Sequence, residues 1–327
     1  MCLCACDPLP LSQLMPKKFL VMVFKGIGDV LLTTPLVRAL KKNIPGAEIY
    51  FLTKKSSEKI LRFNSCLSGV FVREETCLGE IRSRKLDTTM DFMNSSSSGA
   101  YALLSGAGRR LAFRHPLGRI FHNVLIEKEG PARYTVYDRL EMLKPLGVPH
   151  DGIGLDLRFA PENAEKALDF LKRSGLESAR PSFVIFDITS PRRHRCWPPE
   201  KFIALADRLE ADFRLRSVFL AGPGELDYVK SALSSAKSNH LLCSDFDLLD
   251  IAALERHAAL HAGVSSAPMH IAVSQGTPTF TVYSPNDSPK DWGPPLPIHS
   301  GLQADLEILG VDELYAKLSA HVRTLKL

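Results

Sequence analysis

Lys18-Phe19-Leu20-Val21-Met22-Val23-Phe24-Lys25-Gly26-Ile27-Gly28-Asp29 is the stretch on which the fold turns. Its unbroken apolar run, Phe19 to Phe24, has the length of one strand and the composition of a strand covered on both faces. The run ends in a glycine loop, Lys25 to Asp29, and a helical pattern follows through Leu40. Thr34 is placed to cap that helix, with Pro35 at its first position or at a kink. The turn Pro45-Gly46 leads into Glu48-Ile-Tyr-Phe-Leu-Thr53, a second strand. Strand, helix and strand in this order form a β-α-β unit, the building block of a parallel sheet.

Outward from this unit, Val70-Phe71-Val72 reads as a short strand and Ser95 to Ser98 with Gly99 as a small-residue loop before Tyr101. Gly108 to Arg119 carries four Arg and no acid. Gly and Pro turns between Pro149 and Pro161 mark a domain boundary, with helix 162 to 173 as connector. The second half then alternates again: strands Phe183 to Ile188, Val218 to Ala221, Ala259 to Ala262 and Thr279 to Tyr283 are separated by helices 199 to 210, 226 to 234, 248 to 257 and 268 to 274. A last helix, Val311 to Leu325, closes the chain. The expected division is a leader over 1–16, a first α/β domain over 17–160 and a second over 161–327.

Length and composition agree with two such domains. At about 150 residues per domain, 327 residues fill two. With 45% hydrophobic and 24% charged residues the chain is an ordinary globular one, not disordered, collagen-like or coiled-coil. The N-terminal apolar run is far short of the ~20 residues of a membrane-spanning helix, so any membrane contact is expected to be peripheral. Lys and Arg exceed Asp and Glu by 41 to 36, a net +5 that leans toward anionic partners. Seven cysteines in a chain this long make no disulfide framework, which points to a reducing, cytoplasmic setting. Cys2, Cys4 and Cys6 precede Met15-Pro16-Lys17 in a stretch that lacks a secretory pattern, and either a disordered leader or a true start at Met15 accounts for them.

In parallel sheets ligands bind beyond the carboxyl ends of strands. The unusual residues sit in those loops: Gly26 to Asp29, Thr189 to Arg195, Gly222 to Glu225, Ser265 to His270 and Pro285 to Asp287. Gly26-Ile-Gly28 is not a dinucleotide fingerprint, because Leu31 takes the third glycine position and Thr53-Lys54-Lys55 stands where an acid would end the second strand. A nicotinamide-dependent oxidoreductase is therefore a distant reading. Gly26 and Gly28 would instead let a bulky ligand approach the backbone. Asp29 is either a helix cap favoured by the dipole or a general base, a role worth ~10²- to 10⁴-fold in rate.

Arg192-Arg193-His194-Arg195 precedes Trp197-Pro198-Pro199, so guanidinium groups gather beside a helix start, a diphosphate site or a solvated basic loop. Ser265-Ser266-Ala267-Pro268-Met269-His270 offers hydroxyls and free amides to a phosphate, or simply a cap at Ser266 and a buried His270. Asp245-Phe246-Asp247 has a metal-diphosphate spacing, but Asp247 reads better as an N-cap; Asp250 is a candidate for ribose hydroxyls. No Cys/His metal set, G-x-S-x-G or phosphate-loop motif occurs. Arg109, Arg110, Arg114 and Arg119, mixed with Phe113 and Phe121, suit an anionic acceptor, a membrane surface or plain solvation; RNA is disfavoured because no matching aromatic motif accompanies them.

Together these motifs resemble glycosyltransferase family 9, the ADP-heptose:lipopolysaccharide heptosyltransferases. Lys25 to Lys41 resembles the family's opening signature. Arg195-Cys-Trp-Pro-Pro-Glu-Lys-Phe202, Pro268-Met-His270, Gly276-Thr-Pro278 and Tyr283-Ser-Pro285 to Trp292-Gly293 resemble its later motifs in the same order. The resemblance implies a GT-B fold, two Rossmann-like parallel-sheet domains facing one cleft, with acceptor bound by the first and nucleotide sugar by the second. It implies inverting transfer with no metal and no cofactor, from a nucleoside-diphosphate donor, ADP-heptose-like, to an anionic glycolipid such as a lipopolysaccharide core. The setting would be cytoplasmic, peripheral on the inner face of the inner membrane, with no nucleic-acid partner.

Carried over by position, Asp29 is the base, Arg195 contacts the donor phosphates and Asp250 the ribose. Thr189, Ser190, Ser265, Ser266, Ala267 and His270 complete the expected donor set, and Gly26, Gly28, Arg109, Arg110 and Arg114 the acceptor set. One loop departs from the family pattern. Where members usually have an acid, a small hydroxyl residue and Gly, this chain has Ser265, Ser266 and Ala267. The alternative from another class is a non-catalytic binder of nucleotide sugars or polyanions on the same fold.

Overall fold

The computed structural model describes residues 18–177 and 182–327; the expected leader and its cysteines lie outside them. The chain divides between Arg158 and Phe159 into two compact units. Phe159 goes with the second, where the Arg256 guanidinium lies 5.6 Å over its ring.

The first unit holds a six-stranded sheet of β1 (Lys18–Val23), β2 (Glu48–Thr53), β3 (Gly69–Val72), β4 (Thr88–Asp91), β5 (Arg109–Phe113) and β6 (Val124–Ile126), in the order β3-β2-β1-β4-β5-β6. All neighbours run parallel, and Phe19 sits opposite both Ile49 and Thr88. β1 is the central strand, and Phe19 to Val23 are fully buried, as a continuous apolar run requires. Each such side chain contributes roughly 1.5–3 kcal/mol relative to exposure.

The second unit holds β7 (Phe183–Asp187), β8 (Arg216–Leu220), β9 (Leu241–Cys243), β10 (Leu260–Val264), β11 (Thr279–Tyr283) and β12 (His299–Gln303), in the order β12-β11-β10-β7-β8-β9. Read from its far edge, this is the topology of the first sheet repeated, again wholly parallel. One face is filled by Trp197, Phe202, Phe186 and Phe219 together with Leu314, Leu318 and Val322 of the terminal helix Val311–Leu325. Trp197 is fully buried and its Nε1 donates to the Leu309 carbonyl at 3.2 Å.

Both sheets reverse direction beside their first strand, at β1/β4 and at β7/β10. Such switch points open a crevice at the carboxyl edge, where ligands bind in doubly wound folds.

Two local expectations are corrected. Thr34 is not the cap: a short helix, Ile27–Leu31, comes first, Thr33 precedes the helix Thr34–Asn43, and the Thr34 hydroxyl donates to the Leu31 carbonyl at 2.7 Å. The serine run is no loop, since Ser95 and Ser98 form a reciprocal cap on the helix Ser96–Leu104. The Arg-rich segment 108–119 contains β5, whose first two residues are Arg109 and Arg110.

Candidate active site

β1 delivers the chain to the first switch point, where Gly26 is the N-cap of the helix Ile27–Leu31 and Asp29 lies in its first turn. Gly26 has φ −69°, open to any residue, and a Cβ there would meet nothing within 4 Å. Neither conformation nor internal packing demands glycine, and the space above it is open for a ligand to reach the backbone. The Asp29 side chain does not cap the helix. Its Oδ1 accepts a 2.8 Å bond from Nη2 of Arg139, on the helix Thr135–Leu140. Asp29 is 17% exposed and Arg139 7%. Burial pushes the Arg139 guanidinium below its ordinary value, and Asp29 and Asp138 pull it back.

The same carboxyl edge carries a cation after most strands: Lys25 follows β1, Lys54 follows β2, Arg73 follows β3, Arg114 follows β5 and Lys128 stands two beyond β6. Arg73 lies 5.0 Å over the Phe24 ring, Arg114 pairs with Glu127, and Lys128 with Asp138 at 3.3 Å. Arg109 and Arg110 are elsewhere. They start β5 opposite Thr88 and Thr89, at the amino edge of the sheet, and the Arg110 guanidinium is held by the carbonyls of Phe121 and Ala107 at 2.8 and 3.0 Å. In a parallel sheet a strand's two ends lie on opposite edges, so of the Arg expected for the acceptor only Arg114 shares Asp29's edge.

At the second switch point β7 ends in Asp187, 3% exposed. Burial pushes its carboxyl up to about 6, against the pull of His261 and the Ser266 hydroxyl. Ser266 takes the N-cap position of the helix Ala267–Gln275, yet its hydroxyl donates to Asp187 Oδ2 instead of capping. The first amides of that helix are thus left without a side-chain cap, the condition under which a helix start accepts an anion. Thr189 is buried in the loop after β7, and the Ser190 hydroxyl accepts from the Arg192 amide at 3.2 Å.

Arg195 ends a short helical turn, Arg193–Arg195. Its guanidinium pairs with Asp287 and reaches the Ser265 carbonyl at 3.4 Å, so two expected donor loops and the loop Pro285 to Asp287 meet at one side chain. Asp287 is nearly buried and also accepts from the Ser284 hydroxyl at 2.8 Å. His270 is buried 6.2 Å from the Trp292 ring, and burial, helped by Arg195, drives its imidazole down to about 4. It is neutral at physiological pH, a hydrogen-bonding group and not a cation.

Asp247 caps the helix Leu248–Glu255 through the amides of Leu249 and Asp250. Asp250 returns the bond to the Asp247 amide at 3.0 Å, and accepts from Asn163 at 2.6 Å and Lys166 at 2.7 Å. A hydroxyl ligand would have to share this carboxylate with Lys166.

The model of glycosyltransferase family 9 (heptosyltransferase) matches residues 78–308. The chain belongs to this family. Among curated relatives of this glycosyltransferase, lipopolysaccharide heptosyltransferase 3 of Escherichia coli is 25% identical over 80% of this chain and 81% of its own length. A family 9 glycosyltransferase from Veillonella parvula superposes with a TM-score of 0.84 at 22% identity, covering 96% of this chain and 98% of that one. The E. coli heptosyltransferase WaaC, solved with ADP, superposes at 0.73 and 19% identity over 93% and 99%. The fold of the glycosyltransferase is therefore GT-B, built here from two doubly wound units. Among the described residues no helix is long and apolar enough to cross a membrane.

Two residues of this site escaped the sequence reading. Arg139 gave no signal, standing 110 positions from Asp29 in a stretch without a motif. Asp187 did give one, as the lone acid ending a buried apolar strand, Phe183-Val-Ile-Phe-Asp187.

Proposed function

We propose that this glycosyltransferase moves heptose or a related sugar from a nucleoside diphosphate, ADP in the first instance, to an anionic lipopolysaccharide-core-type glycan. The carrying observation is Asp29: a carboxylate at the first switch point with one oxygen held by Arg139, in a side chain still open to its surroundings. The acceptor hydroxyl gives its proton to Asp29 and attacks the anomeric carbon from the face opposite the diphosphate. The bond from that carbon to the diphosphate oxygen breaks, and the configuration inverts. The sugar passes through an oxocarbenium-like state, as in glycoside hydrolysis. Charge builds on the leaving diphosphate, and Arg195 with the uncapped amides of the helix Ala267–Gln275 stabilises it there. No step of this route requires a metal.

Thr189, Ser190, Ser265, Ser266, Ala267 and His270 line the donor loops, with Asp250 toward the ribose. On the acceptor side Gly26 and Gly28 admit the glycan to the backbone. The edge cations Lys25, Lys54, Arg73, Arg114 and Lys128 are the better partners for its anionic groups, in place of Arg109 and Arg110. A glycolipid acceptor sets the enzyme as a peripheral protein at the cytoplasmic face of the inner membrane. Leu117 and Ile120, 53% and 62% exposed beside Arg119, are side chains a bilayer could take up.

The test is Asp29→Asn. A folded variant with transfer reduced about 10²-fold or more supports the base, and one with the full rate removes it. Ser265 favours one second reading, a protein that binds nucleotide sugars without turnover, because the loop has no acid at that position. Ser265→Asp then raises transfer only if weak donor binding is the defect.

A further inference from the structure

Arg139 is held where a buried guanidinium has one direct carboxylate to answer. Its Nη2 bonds Asp29 Oδ1 at 2.8 Å, and its guanidinium carbon lies 4.9 Å from the centre of the Phe92 ring, in the loop that follows β4. The charged groups facing it are Asp29, from the helix Ile27–Leu31, and Asp138, from its own helix. Asp138 is already engaged by Arg133 at 3.2 Å and Lys128 at 3.3 Å, whereas Arg139 is the donor to Asp29 among the described residues. Taking a guanidinium out of water is costly unless a well-placed partner offsets it. Here that partner is the carboxylate at the switch point, and the Phe92 ring lies within cation–π distance of the guanidinium.

We infer that Arg139 is a positioning residue for sugar transfer: by holding Oδ1 it fixes the rotation of the Asp29 carboxylate, so that Oδ2 receives the acceptor proton. This rests on Asp29 acting as the base. The acceptor O–H bond breaks to give the proton to Oδ2, its electron pair forms the bond to the anomeric carbon, and the departing diphosphate takes the electrons of the old bond. The carboxylate is therefore already turned toward the acceptor hydroxyl when it arrives.

Arg139→Gln and Arg139→Lys test this in the full chain, with ADP-heptose as donor and deacylated lipopolysaccharide inner core as acceptor. For Arg139→Gln the expected result is a kcat lower by about ten- to a hundredfold at neutral pH, with donor KM within about twofold. Arg139→Lys keeps a cation but not the fork or the reach, so its kcat falls between those of the Gln variant and the wild type, by more than about threefold. A Gln variant that only melts earlier, with the kcat of its folded fraction at the wild-type value, overturns the proposal. If the Gln variant does not fold, the Lys variant decides: a kcat loss above about threefold with donor KM within about twofold supports the proposal, and a smaller loss overturns it. Failure of the underlying reading looks different: Asp29→Asn then retains transfer, whatever Arg139 does.

Discussion

Asp29, Arg195 and Asp250 each meet a counter-charge inside their own unit: Arg139, Asp287 and Lys166. Such pairs fix side chains before a ligand arrives, which is how a site avoids reorganising during the reaction. Asp187 is the exception, a buried carboxyl whose direct side-chain partner is the neutral Ser266 hydroxyl. Because burial raises it from 3.8 to about 6, it is protonated in both folded and unfolded chains below about pH 4. Its favourable contribution is fully present there and is lost as pH rises through about 6. At ~1.4 kcal/mol per pH unit the loss is on the order of 3 kcal/mol. His270 and His299, both driven down to about 4, act in the opposite sense over the same range. The clean measurement is therefore a difference. Denaturant unfolding of Asp187→Asn against wild type should show the gap moving in the variant's favour by that amount between about pH 4 and 7. A gap that stays constant across the range means Asp187 carries no such charge penalty.

The elements that were legible in the sequence are those whose own residues decide them. β2, β11 and the terminal helix keep the bounds their apolar patterns suggest, because each is apolar on the faces it buries. β4, β5, β6, β9 and β12 were not legible. β9 and β6 are three residues long, β5 opens on two arginines, and β12 is an edge strand whose residues are mostly exposed. Pairing with a neighbour, and not local propensity, makes them strands. The site divides the same way. Asp29, Arg195 and Ser266 stand in the connections that follow strands and could be found by that placement. The Arg139 pair with Asp29 and the Asp287 pair with Arg195 are tertiary, and spacing alone does not reveal them. Gly263 belongs to the same class: a Cβ there would collide with the Asp187 carbonyl, so the glycine reports the close pairing of β10 with β7.

Two units with one topology, each with a sheet of its own, give the molecule two switch points of different chemistry. The first has a row of cations and one carboxylate pinned by Arg139; the second has an uncapped helix start, hydroxyls and Arg195. On the proposed reading the diphosphate belongs to the second unit, since free amides and a guanidinium fork suit it. Hydrogen exchange on the full chain tests the assignment without turnover. A ligand that binds only the folded state adds about 2.7 kcal/mol at a hundredfold excess over its Kd, and the protection is greatest where its contacts hold the backbone. With ADP, GDP, UDP and dTDP compared at equal concentration, ADP should protect amides in Thr189 to Arg195 and Ser265 to His270 most strongly. The Arg195→Ala variant should lose that protection when compared with its own unliganded exchange, the reference needed because the change takes the guanidinium from the nearly buried Asp287. Protection confined to Gly26 to Asp29 and the other carboxyl-edge loops of the first sheet would move the donor to the first unit. Protection by another nucleotide in place of ADP would leave the donor site where it is and change the base it recognises.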